Sequence, residues 1–180
     1  MDEATDWARQ WAAKVKLLVL DVDGVLTDSG LYYDAEGRVS QRFDVRDGMG
    51  VKLAQAAGIK IAAISGLAHG AAKARLTELG VDAAYFGHRD KRPVFLETCR
   101  GFGVSRFETA YLGDDWVDAP AMNLAGLPMA VADAQPEIKS LALWISACPG
   151  GHGAVREAVR FILAAQGKLA GLWGHWLGEG

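Results

Sequence analysis

The clearest pattern in the chain is a series of short apolar runs separated by stretches of mixed polarity. The first run, 17–20, has four consecutive apolar residues and no polar alternation. Such a run is typical of a strand that is buried on both faces, as in a parallel sheet covered by helices. Five later runs predict further strands: 59–64, 81–86, 109–112, 127–132 and the weaker 143–145.

Between these runs the pattern favours helices, and Gly58 and Gly80 follow two of them as C-cap residues. The predicted helices cover 2–14, 50–57, 68–79, 90–100, a segment ending at 125, and 154–166. Strands that alternate with helices predict an α/β fold, a doubly wound parallel sheet with right-handed crossovers. We expect residues 1–180 to form one domain, with no predicted element in the Gly- and Trp-rich tail, 167–180.

One segment interrupts this alternation directly after the first strand. Residues 31–43 contain two strand-like runs around Gly37, which predicts a β-hairpin overhanging the carboxyl end of the sheet. A two-stranded ribbon alone is marginally stable in water, and exposed apolar side chains favour association. The hairpin therefore predicts a homo-oligomer. Its apolar side chains are Leu31, Tyr32, Tyr33, Val39 and Phe43.

Composition narrows the choice of partners and compartment. Hydrophobic residues make up 51% of the chain and the net charge is -3, which argues against nucleic acid or an anionic membrane as the main partner. Cys99 and Cys148 have neither metal-binding nor redox spacing, as expected in a reducing compartment. The N-terminus has no apolar signal core, so we expect a cytoplasmic protein.

Two carboxylates follow the first apolar run directly. Asp21 and Asp23 lie at the predicted strand end, with side chains on the same side if the extended geometry continues, and Gly24 permits a sharp turn. One carboxylate can act as a nucleophile while the other transfers a proton. The pair can also bind Mg²⁺, which prefers oxygen ligands. The alternative is an ordinary strand-to-helix turn, where Asp and Gly are common.

Polar groups also follow the next three strands. Ser65 and Gly66 follow the second strand, and Lys91 lies shortly after the third. Because the carboxyl ends of parallel strands meet at one edge, we expect these groups to gather beside the first two carboxylates. The fourth strand adds Asp114, Asp115 and Asp118.

Together these residues predict a site for phosphoryl transfer. Asp21 attacks phosphorus, and Asp23 protonates the leaving group and then activates water. Ser65 binds phosphoryl oxygens and Lys91 offsets their charge. Asp21, Asp23 and Asp114 form the predicted Mg²⁺ site, where the metal stabilises the in-line displacement.

Each of these residues also has an ordinary explanation. Ser65 can be a turn residue, and Lys91 can be a solvated residue at the start of a helix. Asp118 can be an acidic residue favoured by the dipole at a helix N-terminus. The ordered set of four strand ends is much less expected by chance than any one member.

With these motifs the chain resembles the haloacid dehalogenase superfamily of aspartate-nucleophile phosphatases, over residues 16–169. No cap domain separates the first two motifs, which is similar to the capless subfamily that includes the 3-deoxy-D-manno-octulosonate 8-phosphate phosphatases. The motifs that carry the resemblance are 21–28, 64–66, Lys91 and 113–118, with further similar stretches at 43–48, 131–134 and 150–157.

The resemblance implies a Mg²⁺-dependent phosphatase that forms an aspartyl-phosphate. It also implies a small phosphorylated sugar-acid substrate, as used in lipopolysaccharide precursor synthesis. Gly24, Asp115 and Asp118 take supporting roles. The family is homotetrameric, with the hairpins of four subunits associated and neighbours capping each active site.

One position departs from the family pattern and concerns the substrate. The family usually has Arg directly after the second motif, where this chain has Leu67, and a relative acting on a nine-carbon sugar-acid phosphate has Glu there. Arg75, which matches a family Arg, and Arg46 are the predicted substrate-binding residues beside Ser65, Gly66 and Lys91. The alternative for each Arg is an ordinary surface residue.

Three other functions compete with a phosphatase. A dehalogenase needs neither the leaving-group acid Asp23 nor Mg²⁺. A receiver domain would have its acceptor on a middle strand, yet the third strand ends in Phe86 and Gly87 without an Asp. A phosphatase-like regulatory protein that has lost catalysis stays open because of Leu67.

Overall fold

In the computed structural model, which describes residues 3–178, six parallel strands form the central sheet. Their order across the sheet is β5 (Ala83–Phe86), β4 (Lys60–Ser65), β1 (Leu17–Leu20), β6 (Thr109–Gly113), β7 (Leu127–Ala130) and β8 (Trp144–Ile145). The predicted doubly wound α/β sheet is therefore confirmed. All four residues of β1 are fully buried, as expected for a strand covered on both faces.

Helices cover the sheet, with α7 (Ala154–Ala165) packed against α1 (Glu3–Ala12) and α2 (Val45–Ala56), and α4 (Lys91–Gly101) packed against α5 (Ala119–Met122). Within residues 3–178, no helix combines the length and the hydropathy that a membrane span requires. The helices are α1 (Glu3–Ala12), α2 (Val45–Ala56), α3 (Gly70–Leu79), α4 (Lys91–Gly101), α5 (Ala119–Met122), α6 (Pro136–Leu141), α7 (Ala154–Ala165) and α8 (Leu169–Trp176). Short 3-10 turns occupy Arg106–Glu108 and Trp116–Asp118.

Several predicted helix boundaries differ from the structure, and three of them are instructive. Helix α2 begins at Val45 rather than near residue 50, because the side chain of Asp44 caps it by accepting a hydrogen bond from the Arg46 amide. The segment predicted as one helix up to residue 125 is a 3-10 turn followed by the short α5. The first helix ends at Ala12 rather than 14, and its predicted start at Asp2 lies outside the described residues.

The expectation that the tail has no regular element is also wrong. Residues 169–176 form α8, which packs on α7. Two glycines and four large apolar side chains in eight residues gave no clear helical period. Contact with α7 stabilises this helix where local propensity is weak.

The order of the strands decides where the polar turns meet. From β1 the chain builds β4 and β5 on one side and then returns to build β6, β7 and β8 on the other. The carboxyl ends of β1 and β6 are therefore adjacent, and the Asp21 amide donates a hydrogen bond to the Leu112 carbonyl at 3.0 Å. This reversal of strand order is where ligands bind in open α/β sheets.

The predicted hairpin is present but short. Strands β2 (Tyr32–Tyr33) and β3 (Val39–Ser40) pair antiparallel, and a bridge between Thr27 and Phe43 closes the base of the loop. The side chains of Tyr32 and Tyr33 are 57% and 65% exposed, so residues 3–178 of one chain leave them largely uncovered.

Candidate active site

A buried lysine lies between two carboxylates at the reversal point of the sheet. Lys91, the first residue of α4, is fully buried and donates hydrogen bonds to Asp21 and to Asp118, the latter at 2.7 Å. Asp90 caps α4 by accepting from the Arg92 amide, which fixes where the helix begins. The alternative of a solvated lysine at a helix start is therefore wrong.

Every oxygen of Asp118 has a protein partner. Its Oδ1 accepts from Lys91 and from the Tyr111 hydroxyl at 2.8 Å, and its Oδ2 accepts from the amides of Asp114 and Asp115 at 2.9 and 3.3 Å. Asp118 thereby connects α4, β6 and the turn after β6. Its carboxylate positions its neighbours and has little capacity left for a ligand.

Burial and mutual repulsion change the acidity of these groups. Burial and the nearby charge of Asp118 raise the pKa of Asp21 to about 7, although Lys91 opposes this shift. Burial and the carboxylates of Asp21 and Asp118 raise the pKa of Asp114 to about 9. For Lys91 burial lowers the pKa, but the carboxylates of Asp21 and Asp118 outweigh it, so its pKa lies above the usual value and the ammonium stays charged.

Three carboxylates lie close enough together for a metal ion to lie among them. Carboxylate oxygens of Asp21, Asp114 and Asp118 lie within 4.8 Å of one another. Asp114 Oδ1 is buried and has no hydrogen-bond partner among the described residues. A hard divalent cation would satisfy this oxygen and would reduce the repulsion that raises the two pKa values. The carboxylate of Asp23, which the sequence placed among the ligands, does not belong to this set.

Asp23 instead faces the end of β4. Its Oδ2 accepts a hydrogen bond from Ser65 Oγ at 2.8 Å, and its Oδ1 accepts from Gln41 Nε2 at 2.6 Å. Ser65 Oγ also accepts from the Leu67 amide at 3.0 Å, so one hydroxyl orders the turn after β4 and orients Asp23. Gln41, which directly follows β3 of the hairpin, therefore connects the hairpin to the site.

Two glycines allow the loops around the site to approach closely. Gly24 has φ +104°, and a Cβ there would lie 2.0 Å from Asp114 Oδ2. A Cβ at Gly150 would lie 1.8 Å from the Gly24 carbonyl oxygen. The loop that begins at Gly150 therefore supports the turn after β1 from behind.

The site opens into a cavity of about 480 Å³, a size typical of small-molecule sites. A larger cavity of about 790 Å³ lies between α2, α7 and α8, but its lining is mostly apolar and contains none of these carboxylates. The smaller cavity is lined by Asp21, Asp23, Ser29, Gly66, Leu67, Arg89, Lys91, Asp114, Asp115 and Val117.

Neither arginine predicted to bind substrate lines this cavity. Arg46 forms a two-point contact with Asp44, at 3.1 and 2.9 Å, and also donates to the His152 carbonyl at 2.9 Å. Arg75 pairs with Glu78 at 3.0 Å and packs beneath α2. Because both guanidinium groups are engaged by their own chain, the structure does not place them at the site as predicted.

Several cavity or network residues were not predicted. Tyr111 lies within a buried strand, so the sequence pattern indicated only a core residue. Its hydroxyl nevertheless needs a hydrogen-bond partner when buried. Gln41 and Arg89 lie on loops, where no periodic pattern of apolar residues predicts the direction of a side chain. Ser29 also lines the cavity, and among the described residues it is the one non-glycine residue with a positive φ, +62°.

Comparisons with known proteins give a consistent set of relatives. The 3-deoxy-D-manno-octulosonate 8-phosphate phosphatase KdsC of Haemophilus influenzae is 39% identical to the chain over 160 residues, covering 89% of each protein. The structure of a 3-deoxy-D-manno-octulosonate 8-phosphate phosphatase from Yersinia pestis is 38% identical, with a TM-score of 0.90 over 92% of this chain and 90% of that one.

A further relative was solved with ligands. The 3-deoxy-D-manno-octulosonate 8-phosphate phosphatase of Moraxella catarrhalis, in complex with a magnesium ion, a phosphate ion and KDO, is 31% identical. Its TM-score is 0.91 over 94% of this chain and 97% of that one. No protein-family model matches the chain.

Proposed function

The chain belongs to the 3-deoxy-D-manno-octulosonate 8-phosphate phosphatase family of the haloacid dehalogenase superfamily, and on this basis we propose that it is a Mg²⁺-dependent phosphatase acting on that sugar-acid phosphate. The family resemblance of the sequence motifs is confirmed by these relatives. None of the relatives described above is a dehalogenase or a receiver domain.

One observation supports the chemistry most directly. Asp21 is 3% exposed, contacts a fixed cation and still lines the cavity, at the end of the central strand. A purely structural ion pair needs no opening to solvent. A carboxylate held in place beside a cavity is arranged to attack a bound electrophile.

In the proposed reaction, Asp21 attacks the phosphorus of the bound monoester and becomes an aspartyl-phosphate. Lys91 has two tasks: it keeps Asp21 oriented, and its fixed charge favours the anionic form of the nucleophile and the charge of the phosphoryl oxygens. Asp118 positions Lys91 by accepting its hydrogen bond, and the Tyr111 hydroxyl in turn holds Asp118 in place.

Proton transfer is assigned to Asp23. Its carboxyl group lies beside Asp21 in the same cavity and lies outside the set of potential metal ligands. Protonated, it donates to the leaving alkoxide; deprotonated, it accepts a proton from the water that hydrolyses the aspartyl-phosphate. Gln41 and Ser65 orient it, and the backbone of Gly66 lines the space where phosphoryl oxygens bind.

We assign the Mg²⁺ site to Asp21 and Asp114. Two carboxylates, with further positions for substrate oxygens and water, are what Mg²⁺ commonly uses in phosphoryl-transfer sites. When bound, the metal stabilises the charge of the phosphoryl group during displacement. The relative from Moraxella catarrhalis was solved with a magnesium ion, which supports the assignment.

A phosphate-release assay tests the proposal. We expect purified protein to release phosphate from 3-deoxy-D-manno-octulosonate 8-phosphate faster than from a nine-carbon sugar-acid phosphate or from simple sugar phosphates. Activity should vanish in EDTA and return with Mg²⁺, while Ca²⁺ should inhibit because it distorts a tight octahedral site. Equal rates on all phosphates would contradict the substrate assignment, and full activity in EDTA would contradict the proposed dependence on Mg²⁺.

We further propose a cytoplasmic homotetramer. Tyr32 and Tyr33 on the hairpin are exposed in one chain, which supports association through this surface. Light scattering at micromolar concentration should give a tetrameric mass, and the double substitution Tyr32→Ser with Tyr33→Ser should lower it. Arg38→Ala on the same hairpin, where Arg38 pairs with Asp34 and Glu36, is the matched control. A monomeric parent protein would contradict the proposal.

A further inference from the structure

The active-site cavity is lined by more carboxylates than cations, and only one of its cations is available to bind a ligand. Of its two cations, Lys91 is buried and already donates to Asp21 and Asp118. Arg89 is exposed and forms no hydrogen bond or ion pair with any residue between 3 and 178. The carboxylates that line the same cavity are Asp21, Asp23, Asp114 and Asp115.

The backbone around Arg89 is fixed although its side chain is not. The Gly87 amide donates to the Leu67 carbonyl at 3.1 Å, and the His88 amide donates to the Ser65 carbonyl at 3.1 Å. On the other side, Asp90 caps α4. Arg89 is therefore held between the turn after β4 and the start of α4, and its guanidinium extends from an anchored segment.

A phosphorylated sugar acid brings two anionic groups into this cavity. The phosphoryl group must reach Asp21, where Lys91 and the metal ligands lie. The carboxylate at the other end of the eight-carbon chain would meet four protein carboxylates, and the neighbouring Leu67 side chain offers it no polar atom. An unpaired carboxylate in such a site is strongly disfavoured.

We propose that Arg89 is the specificity-determining residue that binds the substrate carboxylate. This assignment rests on the proposed function, since it needs a substrate with both anionic groups. A guanidinium fits a carboxylate with two parallel hydrogen bonds, and Arg89 has all its donors available. The exposed position of Arg89 suits the distal end of the substrate rather than the buried phosphoryl group.

The test compares Arg89→Gln with Arg92→Gln, which removes another exposed arginine, three residues further along, that does not line the cavity. Steady-state kinetics use 3-deoxy-D-manno-octulosonate 8-phosphate as substrate. Inorganic phosphate and unphosphorylated 3-deoxy-D-manno-octulosonate serve as competitive inhibitors, because each reports on one end of the cavity.

We expect Arg89→Gln to raise KM, and the inhibition constant of the unphosphorylated sugar acid, by roughly 10- to 100-fold with kcat little changed. The inhibition constant of inorganic phosphate should stay the same, Arg89→Lys should give an intermediate KM, and Arg92→Gln should resemble the parent. An unchanged KM, or an equal rise in the phosphate constant, would overturn the proposal for Arg89. A parent protein that releases no phosphate from the substrate would instead overturn the proposed function.

Discussion

Two regions of this protein place one cation between two carboxylates, and they differ almost entirely in burial. At the active site Lys91 lies 2.7 Å from Asp118 and also contacts Asp21, and these side chains are at most 4% exposed. On the hairpin Arg38 lies 2.6 Å from Asp34 and 3.0 Å from Glu36, with side chains that are 38% to 76% exposed.

The comparison shows that contact distance alone says little about what an ion pair does. On the hairpin, water and salt screen the charges, and long side chains lose freedom when they pair. At the active site the charges interact in a medium of lower polarity, so Asp118 raises the pKa of Asp21 while Lys91 opposes that rise. The buried group is fixed before substrate binds, which is what electrostatic catalysis needs.

The largest expected contrast is in turnover. Asp21→Asn removes the nucleophile while Lys91 keeps its contact with Asp118, so the fold should persist and phosphate release should fall by more than ~10³-fold. The matched substitution on the hairpin, Asp34→Asn, should leave turnover unchanged. Phosphate release by purified Asp21→Asn at a rate near the parent's would break the comparison.

The next contrast is in stability. Asp118→Ala leaves the buried Lys91 ammonium and the Tyr111 hydroxyl without this partner, and we expect a loss of about 3–5 kcal/mol in the free energy of unfolding. Asp118→Asn keeps the shape and one acceptor oxygen, so its loss should be smaller. Urea titrations of the two variants measure the difference. Equal, small losses for both would show that the network adds little to stability.

The pH dependence of stability sharpens the comparison further. Burial and neighbouring carboxylates raise the pKa of Asp21 from 3.8 to about 7, and that of Asp114 from 3.8 to about 9, in the folded protein without metal. Between the unfolded and the folded pKa values of these two groups, the folded state holds more protons than the unfolded state. The free energy of unfolding should therefore fall as pH rises from about 4 to about 9. Mg²⁺ binds the deprotonated groups and should reverse this loss.

Thermal melts in EDTA and in Mg²⁺ between pH 5 and 9 check this directly, with the pH range taken from the two folded pKa values. The gain in melting temperature from Mg²⁺ should grow with pH and should be lost in the double variant Asp21→Asn with Asp114→Asn. A gain that does not depend on pH would contradict the assigned ligands.

The smallest expected effect is on the hairpin. Arg38→Ala removes both contacts to Asp34 and Glu36, yet exposed pairs of this kind often add nothing measurable to stability. We expect a urea midpoint within experimental error of the parent's. A shift as large as that of Asp118→Ala would mean that burial is not what separates the two regions.

Much of the site followed from the sequence because strand topology brings distant turns together. Asp21, Ser65, Lys91 and Asp114 were predicted to meet, and the parallel sheet places them around one cavity or beside it. Apolar runs predict strands well, and the carboxyl ends of parallel strands then share one edge.

The remaining features depend on packing that the sequence does not encode locally. The start of α2 was missed because Gly48 lies in its first turn, where glycine disfavours a helix. Here the absence of a Cβ lets Arg75 pack against Gly48 and the backbone of Arg156 pack against Gly50. Arg75 was predicted at the substrate, yet its face of α3 turns toward α2. Arg89 was overlooked because a loop has no sequence periodicity from which the direction of a side chain can be inferred.

The central claim is that Asp21 forms a covalent intermediate with the phosphoryl group. Asp23→Asn should slow hydrolysis of that intermediate, because the base that activates water is lost. After rapid acid quenching of this variant with Mg²⁺ and 3-deoxy-D-manno-octulosonate 8-phosphate, mass spectrometry should find one phosphoryl group on the peptide that contains Asp21. No adduct should form when Asp21→Asn is combined with Asp23→Asn. Phosphate release by Asp23→Asn without any adduct on that peptide at any time point would contradict the account.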